Sequence, residues 1–93
     1  MLFAIHCLDK PGVLERRMQA LPAHRDYLDN SDINVVMSGP LVEEDDDSKI
    51  IGGMYVLEAD DRATLDEILK NDPLVQADIW ETVNIHPFIK RVG

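Results

Sequence analysis

His24, within Pro22-Ala23-His24, and Asp72, within Asn71-Asp72-Pro73, are the two residues of this chain whose types could do acid–base chemistry together. An imidazole gains or loses a proton near neutral pH, and a carboxylate bonded to it orients the ring and stabilises its charged form. Arg17 lies two helical turns before His24 and adds a cation. The set suits proton transfer or the gripping of an anion. Each residue also has a plainer explanation. His24 could lie along its own helix, Arg17 could pair with any of many surface carboxylates, and an Asp before Pro at a helix break is an ordinary cap. Capping and catalysis are compatible, because a carboxylate has two oxygens.

Positioning these residues requires particular elements. Leu2 to Leu8 is apolar and ends in Asp9-Lys10-Pro11-Gly12, which predicts a strand and a turn. From Val13 to about Asn30, Leu14, Met18, Leu21 and Leu28 recur at helical spacing and predict a helix, kinked or restarted at Pro22. On that helix His24 projects about 60° from the centre of the apolar stripe, and Arg17 about 20° from His24. Ile33 to Ser38 reads as a second strand stopped by Gly39-Pro40, and Gly53 to Ala59 as a third, with the acidic run Glu43 to Asp47 between them. Asp60 or Asp61 can cap a second helix whose buried stripe is Leu65, Ile68 and Leu69, and Asp72-Pro73 can start one further turn over Leu74 to Ala77. Trp80 to His86 alternates as a fourth strand closed by Pro87-Phe88.

The order β-α-β-β-α-β predicts an α+β, ferredoxin-like fold: one antiparallel sheet with its helices on one face, as a single domain over residues 1–93. The other face, expected to carry Tyr or Trp and small apolar groups, would need a cover. A second copy of the chain is the simplest, giving a homodimer with a cleft between sheet and helix ends.

Composition limits the partners. Eighteen acidic against nine basic residues give a formal net charge of −9, which opposes binding to nucleic acid or an anionic membrane. No apolar run approaches the ~20 residues of a membrane span, and the opening Met1 to Leu8 has no basic leader and reads as no signal peptide. Cys7 is the only cysteine, so an internal disulfide is impossible and a reducing, cytoplasmic setting fits. It reads as a small buried hydrophobe.

Other patterns are weaker. His6 and His86 fall on neighbouring strands, but two ligands do not make a metal site, and no metal is expected. The acidic run lacks the glycine and distal glutamate of a calcium loop. No glycine-rich phosphate cradle or nucleophile elbow is present. Ser38-Gly39-Pro40 could let a ligand approach the backbone closely, or could be a tight turn.

Arg17, Pro22-Ala23-His24 with Tyr27-Leu28, Ser38-Gly39-Pro40, Asp72-Pro73 and Pro87-Phe88, in this order and at these separations, resemble the YCII-related family across essentially the whole chain. The resemblance implies a dimeric α+β barrel and an active site on a His-Asp dyad, mapping to His24 and Asp72. It also implies a link to dehydrochlorination of chlorinated hydroquinones, the activity tied to at least one branch of the family. Many relatives carry Arg three residues before the histidine, where this chain has Leu21, which leaves Arg17 as the nearby helical cation.

The resulting expectation is a homodimeric small-molecule enzyme performing proton transfer or elimination, without cofactor, on an aromatic or lactone-like compound. His24 is the base and Asp72 its orienter. Arg17 at the rim, with Ser38, Gly39 and Pro40, binds the substrate. The alternative is a non-catalytic module that binds a small molecule in the same pocket.

Overall fold

The computed structural model describes residues 1–93. Alternation on β1 and an apolar run on β3 build the middle of the sheet. Phe3, Ile5 and Cys7 of β1 (Leu2–Asp9) and Tyr55 and Leu57 of β3 (Ile50–Glu58) are buried on one side, and these two strands lie at the centre of the order β2-β3-β1-β4. β2 (Asn34–Val42) and β4 (Trp80–Phe88) form the edges, and every pairing is antiparallel. The helices α1 (Leu14–Asn30), α2 (Arg62–Lys70) and α3 (Pro73–Gln76) cover the same face. Leu65 of α2 and Leu74 of α3 complete the core with Val13, Ile79 and Trp80. The element order is the ferredoxin-like α+β plan, with α3 as an added turn.

Local chemistry sets the helix starts. Asp61 caps α2, its carboxylate accepting from the Thr64 N–H, and Asp72 caps α3 by accepting from the Leu74 N–H at 2.9 Å with Pro73 in the first helical position.

The structure departs from sequence expectation in four places. Gly39-Pro40 does not stop β2, and Pro87-Phe88 does not close β4 early; both strands run through their prolines. Each is an edge strand, where a missing N–H costs no ladder bond. Helix α1 does not restart at Pro22 but runs through it as one helix, with the proline exposed. Its buried side is also different, because Leu14 and Met18 are 42% and 49% exposed whereas Arg17 and His24 face inward. Finally, Tyr55 and Trp80 belong to the helix-covered core, so neither lies on the open face. That face instead presents Leu8, Met37, Met54 and Phe88, all exposed and brought to one side by the strand register.

Candidate active site

Arg17 shows why α1 buries a polar side. Its guanidinium is 2% exposed, donating from Nε to Asp9 Oδ2 at 2.7 Å and from Nη2 to the Gly52 carbonyl at 2.9 Å. A buried charge is tolerated only when paired and hydrogen-bonded, and Asp9 at the end of β1 and Gly52 on β3 supply both conditions. Gly52 is obligatory there, because a Cβ would stand 2.0 Å from the Cys7 carbonyl oxygen of the neighbouring strand.

Seven residues further along α1, His24 points the same way and is also buried. Its Nδ1 lies 2.8 Å from Asp72 Oδ1 and 3.0 Å from Oδ2. An ionised carboxylate only accepts, so Nδ1 carries the proton and Nε2 keeps the lone pair. Asp72 Oδ1 accepts from the Leu74 N–H as well, so capping and ring orientation are done by one carboxylate. The break between α2 and α3 thereby holds the imidazole of α1. Tyr27 reinforces the contact by donating its hydroxyl to the Ile68 carbonyl of α2 at 2.8 Å.

On its other side His24 lines a cavity of about 250 Å³ between α1 and the β2–β3 half of the sheet. Leu21 and Leu28 form the α1 wall, and Val35 and Ile50 the apolar part of the sheet wall. Arg17 lies in this lining too, buried at its base and not at a rim. Ser38, Gly39 and Pro40 all border the cavity. Register puts Ser38 opposite Tyr55 and Pro40 opposite Gly53 on the helix side, whereas Gly39 pairs with exposed Met54 and so lines the cavity by its backbone. Asp72 stands behind His24, outside the lining.

Beyond the apolar walls, three lining residues with polar groups were not anticipated from the sequence. Arg25 and Asp29 are exposed and one turn apart, so Arg17 is not the sole helical cation beside His24. Tyr55 is buried on β3, its ring centroid 5.7 Å from that of His24 at an interplanar angle of 66°, an edge-on contact. Burial pushes its phenol up to about 12, with the nearby Arg17 guanidinium working against that rise. The unbroken apolar run Met54 to Leu57 gave no alternation from which to tell its facing, which the register with β1 decides. Burial likewise pushes the Cys7 thiol up to about 12, which makes it an inert core group. His6 and His86 are exposed, and no group of three or more potential metal ligands occurs.

The sequence model of the YCII-related domain matches residues 1–89. Among solved structures, the 5-chloro-2-hydroxyhydroquinone dehydrochlorinase of Burkholderia phenoliruptrix, in complex with 2,5-dihydroxybenzoquinone, is 26% identical with a TM-score of 0.87, over 96% of this chain and 94% of that one. A Pseudomonas aeruginosa protein is 11% identical with a TM-score of 0.59 over 98% and 93% of the two chains, and an Arabidopsis thaliana protein 9% identical with a TM-score of 0.52 over 99% and 96%. These two share the fold alone. None of the curated proteins matches the chain. No helix is long and apolar enough to cross a membrane.

Proposed function

The chain belongs to the YCII-related family, and from that premise we propose that it is a small-molecule enzyme performing proton transfer or elimination on a hydroxylated aromatic compound. The observation that carries this reading is His24, tied through Nδ1 to Asp72 and lining a cavity sized for one small ring. The geometry suits a general base: the orienting carboxylate is out of the cavity, and Nε2 is the nitrogen left to exchange a proton.

In an elimination acting on a keto tautomer, where the carbon bearing the leaving group is tetrahedral, His24 Nε2 takes a proton from the neighbouring O–H or C–H. The electron pair left behind becomes a new π bond, and chloride departs with the pair of the C–Cl bond. The imidazolium, stabilised by Asp72, then returns its proton to water. The balance is loss of HCl with no oxidant consumed. Arg17 contributes positive charge at the base of the cavity, and Ser38, Gly39 and Pro40 form the sheet wall against which the ring lies. The dehydrochlorinase relative supports the substrate class.

The same reading makes the protein a cytoplasmic homodimer. The exposed apolar Leu8, Met37, Met54 and Phe88 on the open sheet face support a second copy as its cover, and the single buried Cys7 suits a reducing compartment.

The test is chloride release from 5-chloro-2-hydroxyhydroquinone. Turnover by the wild type, reduced roughly 10²- to 10⁴-fold in His24→Ala, is the expected outcome. A wild type that binds the compound without releasing chloride would identify a binding module instead.

A further inference from the structure

Packing explains the ring of Tyr55, which sits in the core against His24 and Trp80, but not its hydroxyl. Tyr27, the other tyrosine, has its hydroxyl committed to the Ile68 carbonyl. Tyr55 lines the cavity, and its hydroxyl donates to no acceptor within the protein. Its oxygen is not among the buried polar atoms left without a partner, and Arg17 is the donor beside it; a phenol that accepts in this way keeps its own proton for an acceptor in the cavity.

The sheet determines where that hydroxyl lies. A Cβ on Gly53 would come within 2.6 Å of Tyr55 Oη, so the ring lies down over Gly53 and only glycine leaves that space open. Ser38 and Pro40 are the cross-strand partners of Tyr55 and Gly53, and both border the cavity. Arg17 stands on the same side with two donors already committed to Asp9 and Gly52. Held in place by these two bonds, the guanidinium polarises the phenol next to it.

We propose that Tyr55 is a catalytic residue of this site, donating a hydrogen bond from Oη to the substrate oxygen that becomes negative when His24 takes a proton, with Arg17 as the positioning residue behind it. The substrate class follows: a ring whose phenolic or enolic oxygen is conjugated to the reacting carbon. A carboxylate does not meet that requirement. In the step, His24 Nε2 gains the proton and the electron pair is delocalised onto the oxygen. Tyr55 keeps its own proton and stabilises that charge by donation. Burial holds the phenol up to about 12, so at neutral pH Tyr55 acts by donation and not as a second base.

This inference rests on the proton-transfer reading above, and the two fail separately under one experiment. The probe is 2,5-dihydroxybenzoquinone, an acidic quinone that is anionic at neutral pH and has a strong visible band. Its affinity and bound spectrum are measured with wild type, Tyr55→Phe and Gly53→Ala, alongside kcat and KM for chloride release and a melting curve for each protein. Tyr55→Phe keeps the ring and removes only Oη. It should melt close to wild type, bind the anion roughly 10- to 100-fold more weakly, and lose the shift of the visible band. Its kcat should fall about 10²- to 10³-fold with a smaller change in KM. Gly53→Ala, with the hydroxyl present but displaced, should show the same spectral loss. Equal affinity and an unchanged spectrum in Tyr55→Phe, or no binding by the wild type, overturns the assignment. Weakened binding in Tyr55→Phe without any turnover by the wild type supports Tyr55 as the donor and overturns the elimination reading.

Discussion

Asp72 is where structure and proposed chemistry share one side chain. Its Oδ1 accepts from the Leu74 N–H and from His24 Nδ1 together. Asn caps a helix about as well as Asp, so Asp72→Asn should change stability by about 1 kcal/mol or less while removing the charge that stabilises an imidazolium. Orders of magnitude should be lost in turnover with little loss in melting temperature, and measuring both on one preparation checks it. Tyr55 and Cys7 give the residue scale its pH dependence. The folded phenol sits at about 12 against an ordinary value of 10.0, and the folded thiol at about 12 against 9.0. Both pKa values are raised, so the folded state holds these protons more tightly than the unfolded chain. Their stabilisation is complete below pH 9 and is lost as pH climbs through 9–12. Each contributes on the order of 3 to 4 kcal/mol. Denaturant midpoints should fall steeply across that window, and Cys7→Ala should flatten the first part of the fall. An ultraviolet titration should show one tyrosine ionising near 12.

At the scale of elements, the β1–β3 pairing leaves no room beside Gly52, where a Cβ would strike the Cys7 carbonyl at 2.0 Å, and this glycine also offers its carbonyl to Arg17. Gly39 on edge strand β2 has nothing within 4 Å of its would-be Cβ. Two glycines of one sheet should therefore respond oppositely. Gly52→Ala should abolish folding or cost several kcal/mol, whereas Gly39→Ala should stay within about 1 kcal/mol of wild type. Chemical denaturation of the pair decides it. The break between α2 and α3 matters in the same way, because moving Asp72 by one turn of helix would take its carboxylate away from α1.

For the whole molecule, 93 residues bury a small core, and one side of the sheet is left with Leu8, Met37, Met54 and Phe88 in solvent. Apolar surface is removed from water at about 25 cal/mol per Å², and a standard interface of roughly 800 Å² per partner suits a dimer at micromolar concentration. Sedimentation equilibrium should show twice the chain mass, and Met37→Asp with Met54→Asp should shift the protein to a monomer. A wild type that remains monomeric at high concentration removes the barrel arrangement.

Local pattern carried much of this protein. Apolar runs and turn residues located all four strands, although β2 and β4 continue past the prolines read as their ends and β3 starts three residues before Gly53; the caps Asp61 and Asp72 marked two helix starts, and the order of elements implied the α+β plan. The proximity of His24 and Asp72 could be anticipated from that order, because the layering brings α1 against the α2–α3 break, where Asp72 caps α3. Tertiary structure alone decided which side of α1 is buried. A stripe of Leu14, Met18, Leu21 and Leu28 looks like the core face in sequence, yet Arg17 turns inward because Asp9 and the Gly52 carbonyl, both distant in the chain, satisfy its charge. Pro40 and Pro87 behaved likewise: a proline ends a central strand, and only the sheet order reveals that both strands lie at edges. Tyr55 entered the cavity for the same reason, since its hydroxyl goes where Gly53 leaves space. Periodicity reports local preference, whereas the burial of a charge, the tolerance of a proline and the direction of a hydroxyl depend on groups that meet only once the chain has folded.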